Sequence, residues 1–348
     1  FAVNLEAPAT DANRSSSKVG PKLKLKVDII EYLKYLGVDV FFLANNHIMD
    51  YGSRGLEDTL RSCDESNIQY IGAGSALEIA RDPLIMSFDG VTVGIINVAE
   101  TEFGAAAPDR CGFFALDAIE CATLIKETKE RCDVVIVSMH GGVEYFPLPR
   151  PGLRKICKFF VDQGADMVLC HHTHVASAYE VHHGNPIFYG IGNFIFDNKE
   201  GRIDCEVGYL VRLFIDSEKK ITTDFDLVAY RQSSTIGGIK ELSGREKTNF
   251  EEELIRLNNI LLDDNQYKDA WAQFCSSRRN ELFAQLYFPF LHWPIRLLAR
   301  VPFFDSIVMP LNRVLLRLNL LRCESHREIL LFLHEKDARR YADRKGIR

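Results

Sequence analysis

The chain has 348 residues, of which 47% are hydrophobic and 26% charged, and a formal net charge of −6. This is the balance of a folded globular protein long enough for a large core and more than one domain. The acidic balance argues against a general nucleic-acid binder, which carries a basic face.

Nine cysteines lie at irregular intervals with no CxxC pair. That pattern fits free thiols in a reducing compartment better than a disulfide framework, which leaves the location open between cytoplasmic and membrane-associated. Cys132, Cys157 and Cys170 sit in apolar runs and read as small core residues. Phe1 opens the chain inside a strand-like run, FAVNLE, without an initiator methionine. A segment upstream is therefore expected, and any leader or anchor would lie there.

In chain order, the pattern predicts strands at 1–5, 38–44, 68–71, 91–98, 133–139, 166–170, 186–190, 207–215 and 222–229. Helices are expected near 24–36, 53–65, 117–130 and 151–164. The last of these begins at Pro151 and stops at Gly164, both positional signals. Strands alternating with helices of this length imply βαβ units and a largely parallel sheet. Only DSEKK separates the final two strands, so they read as a hairpin at the sheet edge.

Beyond Gly237–Gly238 the pattern becomes helical and charged, then rich in Phe, Leu and Arg between 282 and 325. The longest uncharged run, Leu282 to Ile295, is too short for a bilayer span and carries two prolines. Arg313 and Arg317, four apart among leucines, make an amphipathic basic helix. It would lie in a membrane interface, or dock on the core or on a partner chain. The expected division is an α/β domain over 1–232 and a helical region over 233–348.

The chemistry concentrates where apolar strands end in histidines and amides. VDVFFLANNH delivers Asn45, Asn46 and His47, and DVVIVSMH delivers His140; ADMVLCHHTH delivers His171, His172 and His174, and PIFYGIGN delivers Asn193. Open α/β sheets bind ligands outside the carboxyl ends of their strands, so these residues are expected at one edge of one sheet. In an extended strand end, His172 and His174 point the same way. Neutral imidazoles converging there suit divalent ions such as Zn, Mn or Fe.

Asn46 offers an amide oxygen beside His47, which could protonate a leaving group, although Asn45 and Asn46 could equally form only a turn. Asp50 precedes the next helix. Glu6 and Glu144 are the candidate carboxylates, with Glu144 equally readable as a solvated loop acid. Asn193 and Asp197 would orient ligands from outside, while His182 and His183 read as surface residues of a turn. Phosphate-cradling and serine-nucleophile motifs are absent.

VNLEAPAT, FLANNHIMDYGSRGLEDTL, IGAG, VSMHGGVEYFPLP, GADMVLCHHTHV and PIFYGIGNFIFD occur in that order. Through them the chain resembles the CapA-type bacterial capsule proteins of poly-γ-glutamate synthesis, a family similar in fold to the calcineurin-like metallophosphoesterases. The resemblance covers roughly residues 1–230. It implies a layered α/β sandwich with a helical C-terminal extension.

It further implies that Asn46, His140, His172 and His174 bind two divalent ions, that Glu6 stands where a metal-bridging carboxylate is expected, and that His47 is the general acid. Asn45, Asp50, Glu144, His171 and Asn193 would support the ligands or touch substrate. Four departures stand out. The family's initial strand ending in Gly-Asp would precede Phe1, Cys170 replaces a common glycine, Gly141 a common aromatic, and Thr173 a usual proline.

Two functions follow. One is a metal-dependent hydrolase of phosphoesterase type, acting on a phosphoester or an anionic polymer through a metal-activated water. The other is a non-catalytic capsule-assembly protein that grips an anionic polymer through a bound cation.

Overall fold

The computed structural model describes residues 1–18, 20–196, 202–218, 221–233, 238–287 and 334. The chain divides into two compact units, Phe1–Tyr267 and Lys268–Arg348. The first unit includes residues on both sides of position 232.

Its first half contains β1 (Ala2–Asn4), α1 (Ile29–Tyr35), β2 (Val40–Phe42), α2 (Gly52–Glu65), β3 (Gln69–Ile71), β4 (Ala73–Gly74), α3 (Leu77–Arg81), β5 (Leu84–Phe88), β6 (Val91–Ala99) and β7 (Gly112–Phe113). Then come α4 (Ala118–Lys129), β8 (Val134–His140), α5 (Pro151–Asp162), β9 (Met167–His171), β10 (Tyr179–His182) and β11 (Asn185–Phe188). A short 3-10 turn at Ile203–Cys205 precedes β12 (Val207–Asp216), β13 (Ile221–Ser233), β14 (Gly238–Glu241) and α6 (Gly244–Leu262). Helix α7 (Asp264–Tyr287) follows.

The architecture is α/β, as expected, but the strands form several sheets. Strands β1, β2 and β3 make a parallel sheet. A six-stranded sheet runs in the order β10-β11-β9-β8-β6-β5, parallel except at its two edges. The single sheet edge expected for the histidines is thus two sheets facing each other. Alternation in β2 shows how. Val40 and Phe42 pack with Val93, Ile95 and Val134 of the larger sheet. Phe41 points the other way, against Ile30 of α1 and Leu56 of α2. A strand buried on both faces must be apolar throughout, which is why VDVFFLA reads as an unbroken run.

The β12–β13 hairpin is present, but it belongs to a separate antiparallel sheet with β14 rather than to the edge of the parallel one. Its residues Tyr209, Val211, Phe225 and Leu227 cluster with Met167, Phe188 and Leu254. The hairpin thereby takes the apolar residues of that face out of water. Helix α1 starts at Ile29 rather than near 24, because Leu25 is tied back to Pro8 and Thr10 by backbone hydrogen bonds of 2.9 and 3.0 Å.

Helix α5 ends as its sequence requires. Gly164 has φ +117°, and the Ala165 N–H donates to the Phe160 carbonyl at 3.1 Å, which satisfies a terminal carbonyl. All eight described cysteines are free thiols, and Cys132, Cys157 and Cys170 are buried. Among the described residues no helix is long and apolar enough to cross a membrane. Asp197 and the expected basic helix with Arg313 and Arg317 lie outside the described residues, as does most of 282–325.

One buried side chain joins the two facing sheets near the strand ends. Asn97 of β6 accepts from the Ala44 N–H at 2.8 Å and donates to the Ser138 carbonyl at 3.1 Å. Gly72 leaves room for it, since a Cβ there would sit 2.1 Å from Asn97 Oδ1. Replacing Asn97 with Ala strands two buried backbone groups. The expected loss is about 1–3 kcal/mol of stability, read as a lower urea midpoint at unchanged slope; an unchanged midpoint would remove Asn97 from this role.

Candidate metal centre

The carboxyl ends of β1, β2, β8 and β9 open toward one another. Glu6 lies two residues past β1, Asn45–His47 follow β2, His140 ends β8, and His172 and His174 follow β9. His140 Nε2 stands 3.1 Å from Asn46 Oδ1, 3.1 Å from His172 Nδ1 and 3.6 Å from Glu6 Oε1. Glu6 Oε1 is also 3.9 Å from His174 Nε2. Glu6, His140 and His172 form one group of convergent donors, and Glu144, His172 and His174 form an overlapping second.

These donors fit a divalent ion. Two ligands about 2.1 Å from a tetrahedral ion stand about 3.4 Å apart, close to the spacings seen. Glu6 Oε1 and His140 Nδ1 are buried without a hydrogen-bond partner. Burial raises the Glu6 carboxyl, an effect that His174 and His47 partly offset. Burial and the neighbouring histidines hold His140 well below the usual imidazole range, and burial holds His172 at about 4. Neutral imidazoles keep a lone pair for a cation. The Glu6 carboxyl beside these two neutral imidazoles creates a local demand for positive charge.

The two loop histidines do not converge by strand alternation. His172 has φ +94° and His174 φ +59°, so the backbone turns left-handed at both instead of running extended. Such residues hold strain that the surroundings must enforce. Here the enforcement is visible: His174 Nδ1 lies 2.9 Å from Asn193 Oδ1, and Gly190 lets the Asn193 segment press against the loop. A Cβ at Gly190 would stand 2.2 Å from Thr173 Oγ1.

His47 is held from behind. Its Nδ1 is 2.7 Å from Asp50 Oδ2, which fixes that nitrogen as the donor and leaves Nε2 for chemistry. Burial raises the Asp50 carboxyl, but hydrogen bonds from His47, Lys18 and the Leu23 N–H outweigh it and keep the group below its usual range. Lys18 Nζ forms a buried ion pair with Asp50 and donates to the Asn46 carbonyl at 3.0 Å.

The profile of the family described as "Bacterial capsule synthesis protein PGA_cap" matches residues 1–198. The chain belongs to this family. It is 34% identical over 199 residues to the PGA biosynthesis protein CapA of Bacillus subtilis, covering 56% of this chain and 52% of that protein. It is 30% identical over 203 residues to the capsule biosynthesis protein CapA of Bacillus anthracis, covering 56% and 49% respectively. The chain thus spans about half the length of these relatives. Among solved structures, a 5'-nucleotidase precursor from Thermus thermophilus aligns at TM-score 0.40 and 14% identity, over 64% of this chain and 47% of that one.

Within this PGA_cap chain the structure brings together Glu6, Asn46, His47, Asp50, His140, Glu144, His172, His174 and Asn193. Asn45 serves the loop itself. Its Oδ1 accepts from the backbone of His47 and Ile48 at 3.2 and 2.9 Å, and its amide donates to the Leu5 carbonyl at 2.9 Å. His171 belongs to neither donor group. Its ring lies 6.1 Å from that of Phe42, between the sheets. Sequence reasoning passes over Lys18, Tyr145 and Asn97. Lys18 sits in a Ser- and Lys-rich loop that carries no motif. Tyr145 stands 5.9 Å ring to ring from His174.

His171 supplies a pH test, because its Nε2 is buried without a partner and burial holds the ring at about 4. The unfolded imidazole, near 6.5, takes up its proton first. Stability is therefore full above pH 6.5 and falls as pH drops toward 4, by on the order of 3 kcal/mol for this one ring. In metal-free protein, His171→Leu should make the fall of urea-derived stability across that window shallower, leaving the part that His140 and His172 contribute. A slope identical to the parent's would show that His171 is not the source.

Proposed function

We propose that this PGA_cap chain is a divalent-metal-dependent hydrolase in capsule-polymer synthesis, with an anionic phosphoester or glutamyl linkage as substrate. The supporting observation is the buried, unpartnered Glu6 Oε1 among His140, His172, His174 and Asn46 at ligand spacing. Nothing in folding a core calls for such a cluster, and the neutral imidazoles of His140 and His172 cost stability below pH 6.5.

Glu6, Asn46 and His140 would hold one ion and Glu144 and His174 the other, with His172 placed to give its single lone pair to either. The mixed nitrogen and oxygen donors suit Mn, Zn or Fe. A bound ion of this kind polarises the scissile group and makes water a nucleophile near neutral pH. The chain's own residues supply the rest. His47, with Nδ1 fixed by Asp50, presents Nε2 to protonate the leaving oxygen or nitrogen. Lys18 holds the Asn46–Asp50 loop in register by its ion pair and its bond to the Asn46 carbonyl. Asn193 orients His174, as supporting groups around ligating histidines do.

Elemental analysis after Mn or Zn supplementation should find about two ions per chain, with His172→Ala losing most of them. Asp50→Asn should keep the ions while hydrolysis of phosphoesters or glutamyl amides falls by about 10²–10⁴-fold, the scale of general-acid catalysis. No bound metal after supplementation would overturn the hydrolase and favour a capsule-polymer binding protein. Full metal with unchanged Asp50→Asn turnover would displace His47 as the acid.

A further inference from the structure

A second cluster of donors stands apart from the first. His182 ends β10, His183 and Gly184 form the turn into β11, and Asp162 ends α5. Strands β9 and β11 run parallel, and this turn lies at the end where β11 begins. The Glu6–His140–His172 cluster stands past the opposite, carboxyl ends. The two places therefore share no residue and no loop.

Neighbouring residues of a strand normally point to opposite faces. His183 departs from this, with φ +50°, and its ring comes back beside that of His182 at a centroid separation of 4.1 Å. Both Nε2 atoms then face one carboxylate oxygen. Asp162 Oδ1 is 2.8 Å from His182 Nε2 and 3.5 Å from His183 Nε2. One donor from each residue lies within 4.8 Å of the other two.

From this geometry we propose a second transition-metal site at His182, His183 and Asp162, one that takes a borderline divalent ion such as Zn²⁺. Two imidazoles and a carboxylate are a common zinc donor set. The spacings of 2.8 and 3.5 Å bracket the ~3.4 Å between ligands of a tetrahedral ion. The side chains are 21%, 72% and 45% exposed for His182, His183 and Asp162, so an ion enters from solvent and keeps an open position for water or a donor from another molecule. Its effect on this chain is to fasten the β10–β11 turn to the end of α5. This site does not depend on the hydrolase reading.

The test is ZnCl₂ titration of the full chain beside His183→Ala and Asp162→Asn, with amide exchange followed across Tyr179–Phe188. Both substitutions fall on surface positions, so the fold is retained. Each should remove one Zn²⁺ from the total, or weaken that ion at least ~10-fold, the scale on which even outer-shell losses act. Zinc should slow exchange in the turn of the parent and of His172→Ala, but not in the two substituted chains. Equal stoichiometry and affinity in parent and both variants, or zinc that leaves turn exchange unchanged, would overturn the site. Asp162 would then serve only as a hydrogen-bond acceptor that pins the hairpin.

Discussion

Two sheets that share no backbone ladder each supply half of the candidate metal centre, so everything at the site depends on how they are held together. Glu6 and the Asn45–His47 loop come from the three-stranded sheet, and His140, His172 and His174 from the six-stranded one. Apolar packing of Val40, Phe42 and Ile71 on Val93, Ile95 and Val134 holds the faces together. Such packing is non-directional and sets no register by itself. Asn97 adds direction: its oxygen takes the Ala44 N–H, and its amide gives to the Ser138 carbonyl. Those two backbone groups precede His47 by three residues and His140 by two. A fixed Asn97 therefore translates into a fixed distance between the ligand-bearing loops.

The electrostatics of the site run against the stability of the empty fold. A buried carboxylate oxygen has no donor, a buried imidazole nitrogen has none, and two loop histidines adopt left-handed backbone. Each costs free energy that the surrounding core must offset. A divalent ion bound at Glu6 Oε1 and His140 Nε2 would offset the cost of the bare carboxylate oxygen and reward the two strained turns, whereas His140 Nδ1 faces away from the convergent atoms and gains nothing from it. Binding free energy of the ion is then in part folding free energy of the loops, and His172 and His174 hold their strained turns more firmly when it is present.

How much of this is legible in the sequence varies by residue. Buried parallel strands announce themselves as unbroken apolar runs, and so β2, β6, β8 and β9 are readable, along with the donors at their ends. Division into facing sheets is not readable, because VDVFFLA is equally apolar whether its second face meets a helix or a strand. Strands β5 and β10 escape apolar-run reasoning, yet their two-residue turns carry a signal in Asp89-Gly90 and His183-Gly184, all four at positive φ. Such dipeptides are hairpin turns. Candidate ligands are readable as residue types, but their convergence is a tertiary fact. His172 and His174 reach one place through left-handed turns that alternation does not anticipate, and Lys18 reaches Asp50 from a loop without any pattern.

The family match ends at residue 198, but the environment of the site continues past it. Asn193, which orients His174, donates to the Cys205 carbonyl at 3.5 Å. The side chain of Gln232 accepts from the Phe196 N–H at 3.0 Å and donates to that same Cys205 carbonyl at 3.3 Å. Phe196 in turn lies 5.3 Å, ring to ring, from His174. The 3-10 turn and β13 thus hold the segment that aims a candidate ligand, while Tyr209 and Leu254 close the apolar face beneath it. Residues beyond the family match are therefore part of the same physical unit. Removing them would uncover the face of β9 and β11 and release His174 from the contacts that keep its backbone in a conformation it would not choose alone.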